Sequence, residues 1–188
     1  MCLAFAILVQ IATNFANDYF DFVRGADEQR TLGPQRFSSE GLIQGVHLRN
    51  VSFLFLILAF ALGVIIMESS GSSRFLLLVG ISSVFCAIAY TGGPFPLAYN
   101  GLGDVFVILF FGFVAVGMTH YVLLKDAGEM WVPNWLIPMG TGFMINNLLV
   151  VNNYRDRKTD QKVRKNTSIV LLGKNFGLAL YFCGFLIP

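Results

Sequence analysis

The stretch VSFLFLILAFALGVIIM (residues 51–67) carries neither a charge nor a proline. Extended back to Leu48, it would rise about 30 Å as an α-helix, the thickness of a bilayer's hydrocarbon core. Inside lipid a backbone must satisfy its own hydrogen bonds, and a run this apolar does so as a helix. Similar runs recur at 1–20, 75–90, 105–124, 135–151 and 169–188, which predicts six helices. The composition agrees, with 55% hydrophobic residues, 19 Phe, a mean hydropathy of +0.66 and only 13% charged residues. Soluble domains carry about 25% charged residues. The chain therefore reads as an all-α, polytopic membrane protein, one domain over residues 1–188.

A net charge of +2 gives no footprint for nucleic acid. Cys2, Cys86 and Cys183 stand singly in apolar runs, and His47 and His120 are equally isolated. No zinc site or Cys/His nucleophile can be assembled from them. Gly33-Pro34 and Gly93-Pro94 mark places where a helix is expected to stop.

Charge sets the orientation. Of the 13 Lys and Arg, four fall in residues 21–50 and seven in residues 152–174. The positive-inside rule makes the connections 22–47 and 152–168 cytoplasmic, and the four spans between them return the chain to the same face. Seven of the 11 acids lie in or beside the same two regions: Asp18, Asp21, Asp27, Glu28, Glu40, Asp156 and Asp160.

The acids fall into a repeated construction. NFANDYFD (residues 14–21) spaces Asn14, Asp18 and Asp21 at i, i+4 and i+7, with Asn17 within a turn of the same stripe. VNNYRDRKTDQK spaces Asn152, Asp156 and Asp160 at i, i+4 and i+8. Either motif alone reads most simply as a helix end in contact with lipid headgroups. Two matching motifs on one membrane face point instead to a site, because acids facing a helix bundle in a membrane are usually functional.

Four converging carboxylates would repel one another unless a cation joined them. An all-oxygen donor set suits Mg²⁺, which takes one or two carboxylates and completes its shell with water and phosphate oxygens. The adjoining Arg30, Arg36, Arg155, Lys158, Lys162, Arg164 and Lys165 would offset phosphate charge. The residues thus predict a diphosphate held through Mg²⁺ at a membrane surface, and leave the chemistry open.

NxxNDxxD followed by GxD, and then NNxRDxxTD, resembles the UbiA superfamily of intramembrane prenyltransferases. Residues 10–43, 91–122 and 151–173 are similar to its branch acting on 1,4-dihydroxy-2-naphthoate in menaquinone synthesis. The resemblance implies a nine-helix bundle around a central cavity, of which this chain would hold about six helices. It implies that Asp18, Asp21, Asp156 and Asp160 bind Mg²⁺ and, through it, a polyprenyl diphosphate. Asn14, Asn17 and Asn153 would complete a polar floor, and Asp27 would act on the acceptor or a second ion. Arg30, Arg36 and Lys165 would contact phosphate or order the loop. One departure stands out: the family often has Gly before Lys where this chain has Arg164-Lys165.

The implied reaction moves the prenyl group onto the naphthoate with loss of CO2 and diphosphate, in an inner (plasma) membrane with the mouth of the site facing the cytoplasm. Homogentisate and 4-hydroxybenzoate are alternative acceptors. A transporter of ions or organic anions is the non-enzymatic alternative, disfavoured because transporter acids usually lie near the midplane. The expected first helix rises only about 20 Å from Met1 to Thr13, short of the hydrocarbon core, and the chain stops inside an apolar run, so the sequence reads as part of a longer protein.

Overall fold

The computed structural model describes residues 1–26, 37–38 and 41–187. Each of the six expected spans is helical. They appear as α1 (Cys2–Val23), α2 (Gly45–Ser69), α3 (Phe75–Ala89), a rod over Gly103–Asp126, α6 (Leu136–Lys162) and a final pair, α7 (Ser168–Leu172) and α8 (Lys174–Leu186). Among the described residues there is no strand, only an isolated parallel bridge between Asn100 and Asn166. Gly45–Ser69 and Gly103–Asp126 are long and apolar enough to cross a membrane by length and composition, with mean hydropathies of 2.6 and 2.2.

Small residues set the packing, as they must where lipid offers apolar side chains no reason to leave it. Ala12 and Ala16 of α1 and Ala59 of α2 are fully buried where the two helices run together. Ser52 Oγ of α2 donates to the Ala12 carbonyl at 2.8 Å, an interhelical bond in a setting with little water to compete.

Two elements depart from plain helices. The Gly103–Asp126 rod comprises α4 (Gly103–Val107), a π-helical segment (Ile108–Met118) and α5 (Thr119–Asp126). The buried residues of the π segment are Gly112 and Gly117, spaced by the five-residue step of its hydrogen bonds, and both face Pro138 of α6. A Cβ on Gly112 would collide with the Pro138 carbonyl and the Gly142 backbone, so glycine is what allows this approach.

α6 also runs past its expected end at residue 151 to Lys162. No Gly or Pro interrupts residues 143–172, and Arg, Lys and Gln are good helix formers. Most of the expected 152–168 connection is therefore helix, and only residues 163–167 join α6 to α7. The chain breaks again at Gly173, whose φ of 86° suits glycine. At the α5–α6 connection Trp131, Trp135 and Tyr121 pack edge to face at 5.3–6.0 Å, an aromatic grouping of the kind found at membrane interfaces.

Candidate functional site

The last turns of α1, the residues after α3, the first turn of α4, the last turns of α6 and the start of α7 meet at one end of the bundle. They enclose a cavity of about 240 Å³. α1 contributes Asn14, Asn17 and Asp21 to its wall; α6 contributes Asn152, Asn153, Asp156, Thr159 and Asp160. The two motifs, far apart in sequence, thus line one space.

Asp21 is the most deeply tied acid on this wall, at 3% exposure. Its Oδ1 accepts from the Tyr99 hydroxyl at 2.7 Å, and its Oδ2 from Lys165 Nζ at 3.3 Å. The Lys165 ammonium also lies 5.0 Å from the Tyr99 ring centroid, with the Arg24 guanidinium 5.2 Å from the same ring. Arg24 in turn donates to the carbonyls of Thr91 and Gly93 at 3.2 and 2.5 Å, holding the turn after α3 against the end of α1. Thr91 closes this link by donating to Asn17 Oδ1 at 2.8 Å.

Asp18 does something different. It is buried but lies off the cavity wall, and its carboxylate accepts the backbone N–H groups of Phe37 and Ser38 at 3.0 and 3.3 Å. It stands three positions before Asp21, which turns it roughly 60° around the helix. The expected stripe is real, but only Asn14, Asn17 and Asp21 face the space.

On α6, Asp156 is held by its own neighbour. Arg155 Nε and an Nη donate to its two oxygens at 2.6 and 2.7 Å. The hydrogen bonds to Asp156 push the Arg155 guanidinium above its ordinary range, with the charges of Asp156 and Asp160 adding and partial burial opposing. Lys158 and Lys162 are exposed and lie off the cavity wall; Lys158 lines a separate basic groove with Arg157 and Lys174. Asp27, Arg30 and Arg36 fall outside the described residues.

Lys165 reaches the cavity because the chain turns sharply at Arg164. That residue has φ 58°, the only left-handed non-glycine backbone among the described residues. Lys165 N–H then donates to the Asp160 carbonyl at 2.9 Å, and Asn166 N–H to the Tyr99 carbonyl at 3.1 Å. The turn needs a glycine-like conformation, and here an arginine adopts it at a cost of about 1–2 kcal/mol.

The sequence reading did not select Tyr99, Asp104 or Ser168, all at or beside the cavity. Asp104 is a lone acid in a glycine-rich turn, outside both paired motifs, so spacing gave no reason to choose it. Proline and glycine over residues 92–103 mark only a connection, yet that connection supplies the Tyr99 hydroxyl to Asp21.

No three Asp, Glu, His or Cys among the described residues converge closely enough to hold a metal ion by themselves. The acidic and amide donors on the wall are nevertheless oxygens, with Asp21 facing Asp156 and Asp160 across a polar space. Such a set fits a hard cation that draws only one or two carboxylates from the protein and the rest of its shell from a phosphate ligand and water.

No solved structure gives a significant match. The chain is 36% identical to a Haemophilus influenzae 1,4-dihydroxy-2-naphthoate octaprenyltransferase, over 97% of this chain and 59% of that protein. Its identity to the Escherichia coli protein of the same name is 32%, over 93% of this chain and 57% of the relative. A chicken UbiA prenyltransferase domain-containing protein 1 is 31% identical, over 95% of this chain and 52% of the relative. The chain thus spans under two thirds of the length of these curated relatives. The UbiA prenyltransferase family model matches residues 1–188. A membrane-spanning helical bundle with two acidic helix ends around one cavity is the architecture expected of that match, and the chain belongs to the UbiA prenyltransferase family.

Proposed function

We propose that this chain carries the diphosphate-binding centre of an enzyme that transfers a prenyl chain from a polyprenyl diphosphate to 1,4-dihydroxy-2-naphthoate. CO2 and diphosphate leave, and the product is demethylmenaquinol. The observation that carries this reading is the meeting of Asp21 with Asp156 and Asp160 in one cavity, with Lys165 reaching the same space. The names of the bacterial relatives support the naphthoate as acceptor.

One or two of the carboxylates of Asp21, Asp156 and Asp160 would hold Mg²⁺, with phosphate oxygens and water completing its shell and Asn14, Asn17, Asn152 and Asn153 adding neutral oxygens and amide donors around it. When bound, the ion supplies Lewis-acid withdrawal of charge from the departing diphosphate. Lys165 neutralises phosphate oxygens as a point charge. Arg155 offers a planar fork that can turn from Asp156 to a phosphate of like geometry. Asp18 holds the chain at Phe37 and Ser38 through their backbone N–H groups.

With its leaving group neutralised in this way, the C1–O bond of the allylic substrate breaks and the electron-rich ring carbon attacks C1. The apolar helices beside the cavity exclude water from the allylic cation and let a long tail lie within the bilayer. The proposed setting is a plasma membrane with the cavity mouth on the cytoplasmic side, as the concentration of basic residues there supports.

The test is prenyl transfer by the protein made from its complete gene, with labelled prenyl diphosphate and three acceptors: the naphthoate, homogentisate and 4-hydroxybenzoate. Product is expected with the naphthoate, lost on chelation with EDTA and restored by Mg²⁺. Product with another ring alone would reassign the acceptor. Transfer that persists in EDTA would remove the metal from the reading.

A further inference from the structure

The geometry points to Asp104 as the residue that receives the acceptor ring, through a hydrogen bond from a ring hydroxyl to its carboxylate. This rests on the prenyl-transfer reading above and adds a second pole to that site.

Asp104 opens α4 and lines the same cavity as Asp21 and Asp156, yet it is only 6% exposed. Its oxygens are satisfied differently from theirs. Oδ1 accepts from Asn146 Nδ2 at 3.0 Å, and Oδ2 accepts from the Ser168 hydroxyl. Among the described residues both donors are neutral, whereas Asp21 has Lys165 and Asp156 has Arg155. A carboxylate has about four lone-pair sites, so two neutral donors leave room for more.

The surroundings also hold an acceptor without a donor. Asn146 is 1% exposed, and its Oδ1 has no hydrogen-bond partner among the described residues. A buried acceptor left in that state costs about 1–3 kcal/mol. A ligand that brings hydroxyls is the kind this corner lacks, and a diphosphate, which brings only acceptors, is the kind it repels. Lys165 and Arg155 have the opposite preference. The wall therefore offers two kinds of partner: the Lys165 ammonium for a phosphate, and a carboxylate backed by neutral amide and hydroxyl groups for a ring hydroxyl.

Apolar and aromatic residues stand beside Asp104 on the wall. Gly103 packs so closely that a Cβ there would come within 3.2 Å of the Tyr90 hydroxyl and 3.5 Å of a Leu149 methyl. Leu149, Ala98 and the Tyr90 ring supply the apolar wall.

The chemistry follows from the contact. As the ring carbon bearing the carboxylate bonds to C1 of the prenyl group, the C1–O electron pair leaves with the diphosphate. The proton of the neighbouring hydroxyl moves to Asp104, leaving a ring carbonyl. The ring–CO2 bond then breaks and its electron pair restores the aromatic ring. The carbonyl oxygen takes the proton back from Asp104, which ends as it began.

The experiment compares 1,4-dihydroxy-2-naphthoate with its 1-O-methyl ether in wild type, Asp104→Asn, Asp104→Glu and Ser168→Ala, using the protein from its complete gene. Wild type is expected to prefer the free hydroxyl by about 100-fold in kcat/KM. Asp104→Asn is expected to lose that preference while the KM for prenyl diphosphate stays within about twofold, because the change removes no interaction made with that substrate. Asp104→Glu should recover part of the preference. Ser168→Ala, which keeps the carboxylate but removes one of its donors, should weaken the preference by about tenfold, and is the reading to use if Asp104→Asn does not fold. An unchanged preference in the folded variants overturns the inference and leaves the proposed function standing. A raised KM for prenyl diphosphate with the preference intact also overturns it, by moving Asp104 to the other substrate. Wild type that prenylates no ring overturns the proposed function, and this inference with it.

Discussion

The two acidic motifs have nearly the same composition and are used in different ways. The one that ends α1 is knitted into distant parts of the chain: Asp21 to Tyr99 and Lys165, Asp18 to the backbone at Phe37 and Ser38. On α6, the bonds of Asp156 among the described residues include a bidentate one from Arg155 next to it. Exposure follows the same division, at 4% for the Asp21 side chain and 16% for that of Asp156. A carboxylate with long-range partners organises the fold around the site. One with a partly exposed neighbour can exchange that neighbour for a ligand at little cost to the fold.

Several substitutions can break this contrast. Asp21→Asn is expected to have the largest effect. It should lower transfer on the order of 10²–10³-fold and also destabilise the protein, because it leaves the partly buried Lys165 ammonium without its counter-charge. Steady-state kinetics and a thermal-unfolding curve on one preparation read both. Asp156→Asn should reduce transfer by a similar order while shifting stability by under about 1 kcal/mol, as partly exposed pairs do. Equal losses of stability in the two variants would erase the distinction drawn here.

Smaller changes sharpen it. Asp18→Asn should raise the KM for prenyl diphosphate by about 10–100-fold, the range for loss of a supporting partner. An effect confined to kcat would instead put Asp18 in direct contact with the reacting groups. Tyr99→Phe removes one hydroxyl from Asp21 and should cost about 1 kcal/mol of stability with roughly tenfold weaker transfer. Smallest is Arg164→Gly, which relieves a left-handed arginine and should raise the melting temperature, by the equivalent of about 1 kcal/mol. A fall in melting temperature would mean that the Arg164 side chain contributes more than its backbone costs.

Much of the fold was legible because lipid makes a plain demand. Each of the six apolar runs is helical, the last as two helices broken at Gly173, and the other wide disagreements were at their ends and within one rod. α6 continued to Lys162 because nothing in residues 152–162 stops a helix, although their charge suggested a loop. The π segment left no trace in hydropathy, since Gly112 and Gly117 show their purpose only against Pro138. In the candidate site, spacing found the residues that repeat with a helical period: Asn14, Asn17, Asp21, Asn152, Asp156 and Asp160 all reached the wall. It could not separate Asp18 from Asp21, because what divides them is the chain at Phe37, brought there by tertiary contact.

By itself, the sequence determined that the chain is a helical membrane bundle and that two acidic helix ends share one face. Both follow from local rules: apolar length for the spans, and residue period with loop charge for the face. The tertiary structure alone decided which acids meet and what each one holds. It brought Lys165 and Tyr99 to Asp21, gave Arg164 the glycine-like turn that delivers Lys165, and set Asp104 among neutral donors on the same cavity wall. Those pairings join residues tens of positions apart, and a hydrogen bond depends on distance in space, about which spacing along one chain is silent.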